Sequence, residues 1–430
     1  MIRKTRRKRT WFAAAVLAAG SLLATSLPAH AETGVTSSEI KLGITLPLTG
    51  AASPGYNKIG NAMDAYFKYV NDNGGVYGRK IQLIQKDDQY SPQLSIAKTN
   101  ELILKDKVFA LVGPLGTANF TAVHKSVGLQ RRGIPSLFLN TGFSGFANKK
   151  SYPTSFTILP SYAMEAKIVA QFLKENFAGK KLGLVYQNDE FGIDALGAFT
   201  AAGVKFDVSI PYTSGTQSAA TAQTWVSQLA AGSAQVVVFF GVTSATAPLL
   251  AVAAGAKYAP QWILGSVGSD PLTLQALGVP VAVLNGALTP AGNPSPNDLT
   301  DEYVKQFQEI NTKYNKAAFD DYVLQGMNLG LMTVQALRAA GPSLTRSGLI
   351  RAMEAKGSTF ASVAYSPLGY SPTSNVGHTG YYMAVMGPTG DRKPFGGTVT
   401  LYTTDSGNGP VVKSNFKRPA MPAKGLPNNS

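Results

Sequence analysis

Val108-Phe-Ala-Leu-Val-Gly-Pro-Leu-Gly-Thr117 decides how the chain is read. Its first five residues, Val108 to Val112, form an apolar run too short for a typical helix. Their Val and Leu content suits a buried strand. Gly113 and Pro114 end the run. Gly116 lets a ligand approach the backbone, and Thr117 can cap a helix expected over residues 118–130. Strand, tight turn and helix start together form a corner where unpaired N–H groups and the positive end of the helix dipole converge. The same corner also occurs as plain α/β architecture, so its meaning depends on what surrounds it.

The second half of the chain repeats the arrangement. Ala234-Gln-Val-Val-Val-Phe-Phe-Gly241 is another buried-strand run ending in glycine, and Val242-Thr243-Ser244-Ala245 opens a helix after it. Lys41-Leu-Gly-Ile44 and Lys181-Leu-Gly-Leu184 begin the two units alike. Two βαβαβ units predict an α/β protein of two facing lobes with a binding cleft between their strand ends.

The first 31 residues read as a leader rather than as fold. Arg3, Lys4, Arg6, Arg7, Lys8 and Arg9 form a basic n-region, Trp11 to Leu27 is apolar, and Ala29-His30-Ala31 is an A-x-A cleavage site. The apolar stretch is short for a membrane span, so a signal peptide is expected. The formal net charge of +15 falls to +9 once the six basic residues of the leader are removed. Export, and the lack of any dense basic-aromatic segment, argue against nucleic acid as a partner. The chain has no cysteine, which rules out disulfides, thiolate metal sites and lipid attachment through a cysteine. The expectation is a protein exported to the periplasm, or to the extracellular space or cell envelope, and not lipid-anchored.

Along the mature chain, Ile40 to Leu46 and Lys80 to Lys86 read as strands flanking a helix with Ile59, Met63, Tyr66 and Val70 on one stripe. Ser91-Pro92 reads as the N-cap and first residue of the next helix. Crossovers between lobes are expected at Phe156 to Pro160, at Val283 to Thr289 and between Ala361 and Asn375. A long helix near Phe319 to Ala340 has glycines at 326 and 330 that permit close packing. The resulting division is a signal peptide over 1–31, a first lobe from 32–157 plus 288–370, and a second from 158–287 plus 371–412. The tail, 413–430, rich in Pro, Lys and Asn, is expected to be disordered.

Catalytic motifs are scarce: no G-x-S-x-G elbow, P-loop, H-E-x-x-H or G-x-G-x-x-G occurs. Beyond the leader the histidines are His124 and His378, too isolated for a metal site. Asp87-Asp88 and Asp189-Glu190 could be acid pairs, but a turn and a helix start explain them equally well. No catalytic residue, metal or cofactor is expected. What recurs at the strand ends is hydroxyls, amides and backbone, groups that hold a polar ligand without transforming it.

The order and wording of several segments resemble type I periplasmic binding proteins of the branched-chain amino acid (leucine/isoleucine/valine-binding) group, the receptors of ABC importers. The matching pieces are Ile40-Lys-Leu-Gly-Ile-Thr-Leu-Pro-Leu-Thr-Gly50, Val70-Asn-Asp-Asn-Gly-Gly-Val-Tyr-Gly78, Lys86-Asp-Asp-Gln-Tyr-Ser-Pro92, Val112-Gly-Pro-Leu-Gly-Thr117, Gly133-Ile-Pro135 and Tyr186-Gln-Asn-Asp-Glu-Phe-Gly192. The resemblance implies two Rossmann-like lobes, three crossovers and a cleft that closes on ligand. It implies that Leu115, Gly116 and Thr117 grip a carboxylate, with Asn140, Thr141 and Gly142 beside them. It places Tyr56 in the first loop, and Phe191 and Thr243 in the second lobe. Where amino acid receptors carry an acid for the ammonium, the count from Gly265 falls on Val267, with Asp270 three residues on. The expected function is an extracytoplasmic solute-binding protein, not an enzyme. It would bind an amino acid or a related small carboxylate or amide and deliver it to a membrane permease, acting as a monomer. The alternatives are a ligand-sensing module and a binding protein for an aromatic or non-amino carboxylate.

Overall fold

Buried Val, Leu, Ile and Phe runs set the two sheets of the computed structural model, which describes residues 1–2 and 32–428. The signal-peptide reading therefore lies outside the described residues. In the first sheet, β1 (Glu39–Leu46), β2 (Lys80–Asp87), β3 (Ala110–Val112), β4 (Ser136–Leu139) and β5 (Ser155–Thr157) are all parallel, in the order β2-β1-β3-β4-β5. In the second, β6 (Leu182–Gln187), β7 (Val208–Tyr212), β8 (Val236–Phe240), β9 (Gln261–Leu264) and β10 (Leu288–Ala291) repeat that order as β7-β6-β8-β9-β10. The antiparallel strands β11 (Gly380–Met386), β12 (Arg392–Pro394), β13 (Tyr402–Thr403) and β14 (Val412–Lys413) extend its β10 edge. Each sheet thus reverses its strand order once, between β1 and β3 and between β6 and β8, and open α/β sheets bind ligands at such reversals.

Helices cover the sheets as the apolar stripes require. α1 (Ile59–Asp72) buries Ile59, Met63, Tyr66 and Val70. α2 (Pro92–Leu104) starts as expected, with the Ser91 hydroxyl accepting from the Leu94 N–H. α3 (Thr117–Val127), α4 (Tyr162–Asn176), α5 (Glu190–Ala201), α6 (Ala219–Ala231), α7 (Thr243–Gly255), α8 (Pro271–Ala276) and α9 (Val281–Leu284) follow. The chain then adds α10 (Glu302–Tyr314), α11 (Asp321–Ala339) and α12 (Arg346–Lys356). α11 lies against α1, and a Cβ at Gly326 would stand 2.4 Å from the Ile59 carbonyl oxygen, so only glycine allows that approach.

The three crossovers lie side by side. The Thr157 N–H donates to the Asn375 carbonyl (3.1 Å), the His378 N–H to the Ile158 carbonyl (3.0 Å), and the Tyr365 N–H to the Gly292 carbonyl (2.9 Å). The second of them sits later than the sequence suggests. Residues 283–289, expected to cross, instead finish α9 and enter β10, which belongs to the second sheet and pairs antiparallel with β11. Pro290 disguised this strand. β9 pairs with β10 only at Leu288, so the missing proline N–H costs no bond on that side.

The tail differs from expectation more sharply. Residues 418–425 lie along the first lobe instead of being loose. The hydroxyls of Tyr66, Tyr69 and Tyr303 donate to the carbonyls of Gly425 (2.6 Å), Lys424 (2.5 Å) and Pro419 (2.7 Å). Arg418 pairs with Asp301 and stands 4.6 Å over the Tyr303 ring and 4.8 Å over Tyr365. These bonds use tail backbone, which residue composition does not report. Deleting residues 415–430 is expected to lower stability by roughly 3 kcal/mol, at about 1 kcal/mol per hydroxyl bond. Urea denaturation checks this, and an unchanged midpoint would mean that the docked tail contributes nothing.

Candidate functional site

The ends of β3 and β4 supply one wall of a cavity between the lobes. After β3 the chain turns through Gly113 (φ 64°) and Gly116 (φ 104°). A Cβ at Gly116 would meet Asn119 Oδ1 at 2.7 Å and the Tyr90 ring at 2.9 Å. Gly116, not Thr117, is the N-cap of α3, and no side chain caps that end. The first-turn amides of α3 therefore have no side-chain cap among the described residues, and Gly116 beside them lines the cavity. Thr117 is the first helical residue, and its buried hydroxyl bonds the Thr141 hydroxyl (2.7 Å), which in turn lies 3.4 Å from the Tyr162 hydroxyl. The Gly142 carbonyl accepts from the Tyr162 N–H (2.6 Å).

The cavity has a volume of about 140 Å³, room for roughly ten waters at most or a small organic molecule. Of the residues singled out in the sequence, Tyr56, Leu115, Gly116, Asn140, Phe191, Val267 and Asp270 line it. Thr117, Thr141, Gly142 and Thr243 stand behind that wall and hold it in place. The Thr243 hydroxyl meets the Tyr322 hydroxyl, and the Val267 carbonyl accepts from both Tyr56 (2.9 Å) and Tyr322 (3.1 Å). The Tyr56 and Tyr322 rings meet edge to face at 4.9 Å, and Tyr162 lies against Phe191 at 4.4 Å. Lobe-to-lobe bonds continue at the rim, where the Ser144 N–H and hydroxyl both donate to Asp194 (2.9 and 2.5 Å). The two lobes are closed on each other.

The acids sort by what they hold. Asp87 ties the first loop by accepting from Leu48 and Thr49, and Asp88 accepts from Ser95 (2.7 Å). Burial raises the Asp88 carboxyl to about 6. Asp189 caps α5 through the Phe191 N–H (3.0 Å), the helix-start role. None of the three lines the cavity. Asp270 does, while also capping α8 through the Thr273 N–H (2.7 Å). Burial, then the nearby Asp321 and Asp320, raise its carboxyl to about 7. Val267, at the position where the resemblance places an ammonium partner, offers only its carbonyl, which two tyrosines already occupy.

Several wall residues escaped the sequence reading: Tyr90, Tyr162, Tyr381, Asp321, Gln325 and Arg392. Asp321, Gln325 and Asn328 recur at i, i+4 and i+7, a polar stripe on an otherwise buried helix, and that was the available signal. His378 is neutral, since burial lowers it to about 4. Its Nδ1–H donates to the Ser366 carbonyl (2.7 Å), so Nε2 accepts from the Ser362 hydroxyl (2.9 Å).

This frame of two closed lobes and three crossovers agrees with the sequence comparison. A model of the periplasmic binding protein family matches residues 39–391. The chain belongs to the periplasmic binding protein family. Among its relatives, the Leu/Ile/Val-binding protein BraC3 of Rhizobium johnstonii is 23% identical over 181 residues, 42% of this chain and 48% of that protein. The Leu/Ile/Val-binding protein homolog 3 of Brucella melitensis is 24% identical over 204 residues, 47% and 54% respectively. The matches span about half the length of these curated relatives. Among solved structures, a branched-chain amino acid ABC transporter protein from Thermus thermophilus with bound valine superposes at a TM-score of 0.74 with 17% identity. The match covers 86% of this chain and 98% of that one. A fatty acid ABC transporter substrate-binding protein from Thermomonospora curvata gives 0.72 with 22% identity, covering 90% and 97%. At these identities the structural likeness shows the fold.

Behind the cavity wall, Glu165 is fully buried on α4, its oxygens taking the Ser266 N–H (2.8 Å) and hydroxyl (2.6 Å). Burial raises its carboxyl from 4.5 to about 7. An acid raised in the folded state binds its proton more tightly there than when unfolded. Its stabilising contribution is complete below pH 4.5 and is lost as pH rises through about 7. Glu165→Gln is therefore expected to flatten the fall in unfolding midpoint between those two pH values. Thermal unfolding across the range checks it, and a variant with the wild-type slope would contradict the assignment.

Proposed function

We propose that the chain is the exported solute-binding receptor of an ABC importer. It holds an amino acid of branched-chain type, or a related small carboxylate or amide, between its lobes. It delivers that ligand to a membrane permease and performs no chemistry on it. The observation that carries this reading is the cavity itself, walled by both lobes at their two strand-order reversals, with the uncapped start of α3 on one side. A carboxylate suits that helix start, because its amides and dipole favour negative charge. The aromatic wall of Tyr56, Tyr162, Phe191 and Tyr322 suits an apolar middle. Relatives named for leucine, isoleucine and valine binding support the same assignment. The receptor is expected to act as a monomer.

The parallel crossovers support opening and closing as the working motion, since three adjacent segments can bend together while each lobe keeps its own sheet. A ligand that binds only the closed form stabilises it by mass action.

Mass spectrometry of small molecules released from purified, denatured protein identifies the ligand. At about a hundred times its dissociation constant, that ligand is expected to stabilise the fold by roughly 2.7 kcal/mol. A released compound that the protein converts to a product would overturn the receptor reading in favour of an enzyme.

A further inference from the structure

On the crossover side of the cavity, three polar groups have no partner among the described residues. Arg392 Nε, Gln325 Nε2 and Ser366 Oγ are buried and unbonded, and all three residues line the cavity. Arg392 and Ser366 are 8% and 1% exposed. A buried donor left without an acceptor is costly, and three on the lining of one cavity point to a ligand group that satisfies them.

Charge narrows that group. The other two nitrogens of Arg392 are committed to both oxygens of Asp321 (2.9 and 2.5 Å). Asp270 lies beside this pair, and the Asp321 N–H reaches its Oδ1 (3.3 Å). Two carboxylates already face one guanidinium, so a second ligand carboxylate would be repelled here. An ammonium fits no better. It brings only donors, and the Arg392 Nε–H and Gln325 amide need an acceptor. Asp270, which could take an ammonium, already accepts two backbone N–H groups.

We propose that this end of the cavity receives a neutral carboxamide or urea-type group, so that the ligand is a small carboxylate with an amide at its far end. The amide carbonyl accepts from Arg392 Nε–H and Gln325, and an amide N–H donates to the Ser366 hydroxyl. This assignment rests on the receptor reading and deepens it by naming the ligand class.

Calorimetry on a matched series reads both ends separately. Pentanoate, 5-aminopentanoate, glutarate and glutaramate share one chain and one carboxylate and differ only at the far end. Their four- and six-carbon homologues allow for cavity length, and leucine is run beside them. The amide member is expected to bind at least tenfold tighter than its homologues of equal length. Gln325→Leu should reduce the amide-over-alkyl ratio about tenfold. Ser366→Ala reads the same ratio if the first variant does not fold. A tighter dicarboxylate or ammonium homologue, or a ratio that neither variant changes, would overturn the proposal. Leucine binding with no amide binding would overturn it while leaving the receptor reading standing, whereas no binding across series and leucine alike would sink both.

Discussion

Neither lobe can desolvate a ligand alone. Each sheet ends in a reversal of strand order, at β1/β3 and β6/β8, and each reversal supplies half a wall. A polar ligand on one half alone would keep water on its other face, where hydrogen bonds to protein are worth little net. The cavity becomes a binding site when Tyr56 and Tyr322 of the first lobe reach the Val267 carbonyl of the second. The same meeting aligns Asp321 with Arg392 and Ser144 with Asp194. On the proposed reading, closure and binding are one event.

That constraint explains how backbone-set geometry and side-chain chemistry share the molecule. The crossovers carry backbone-to-backbone bonds, which any sequence can make, and hold the two halves in register. The strand-end loops position amides by their turns, and Gly116 is tied to its turn by a φ of 104°. The crossover-side wall is different, because it depends on side chains, namely Arg392, Gln325 and Ser366. Specificity can change there without disturbing the fold.

Much of this was readable in the residues. The runs at Val108 and Ala234 marked both central strands, and Gly326 and Gly330 marked a face for close packing, which the fold gives to α1. Seven of the eleven residues singled out line the cavity, because local turns fixed them close to the strand ends. Thr117, Thr141 and Thr243 fell behind the wall with Gly142, since which way a threonine hydroxyl turns depends on partners far away in sequence. Thr243, for example, answers to Tyr322, 79 residues on. Arg392 and Asp321 lie 71 residues apart and meet only through the fold. The tail was misread for a related reason: tyrosines on α1 and at the start of α10 hold its carbonyls, and its own composition carries no trace of them.

The account stands on closure. The chain lacks cysteine, so two introduced thiols can be labelled cleanly. Lys125 on α3 and Thr200 on α5 are exposed, and these two helices face each other across the mouth of the cleft. Spin labels at Lys125→Cys and Thr200→Cys report the lobe separation directly. The distance distribution should shift shorter and narrow when the molecule recovered from the purified protein is added to saturation. An identical distribution with and without that molecule would contradict the account.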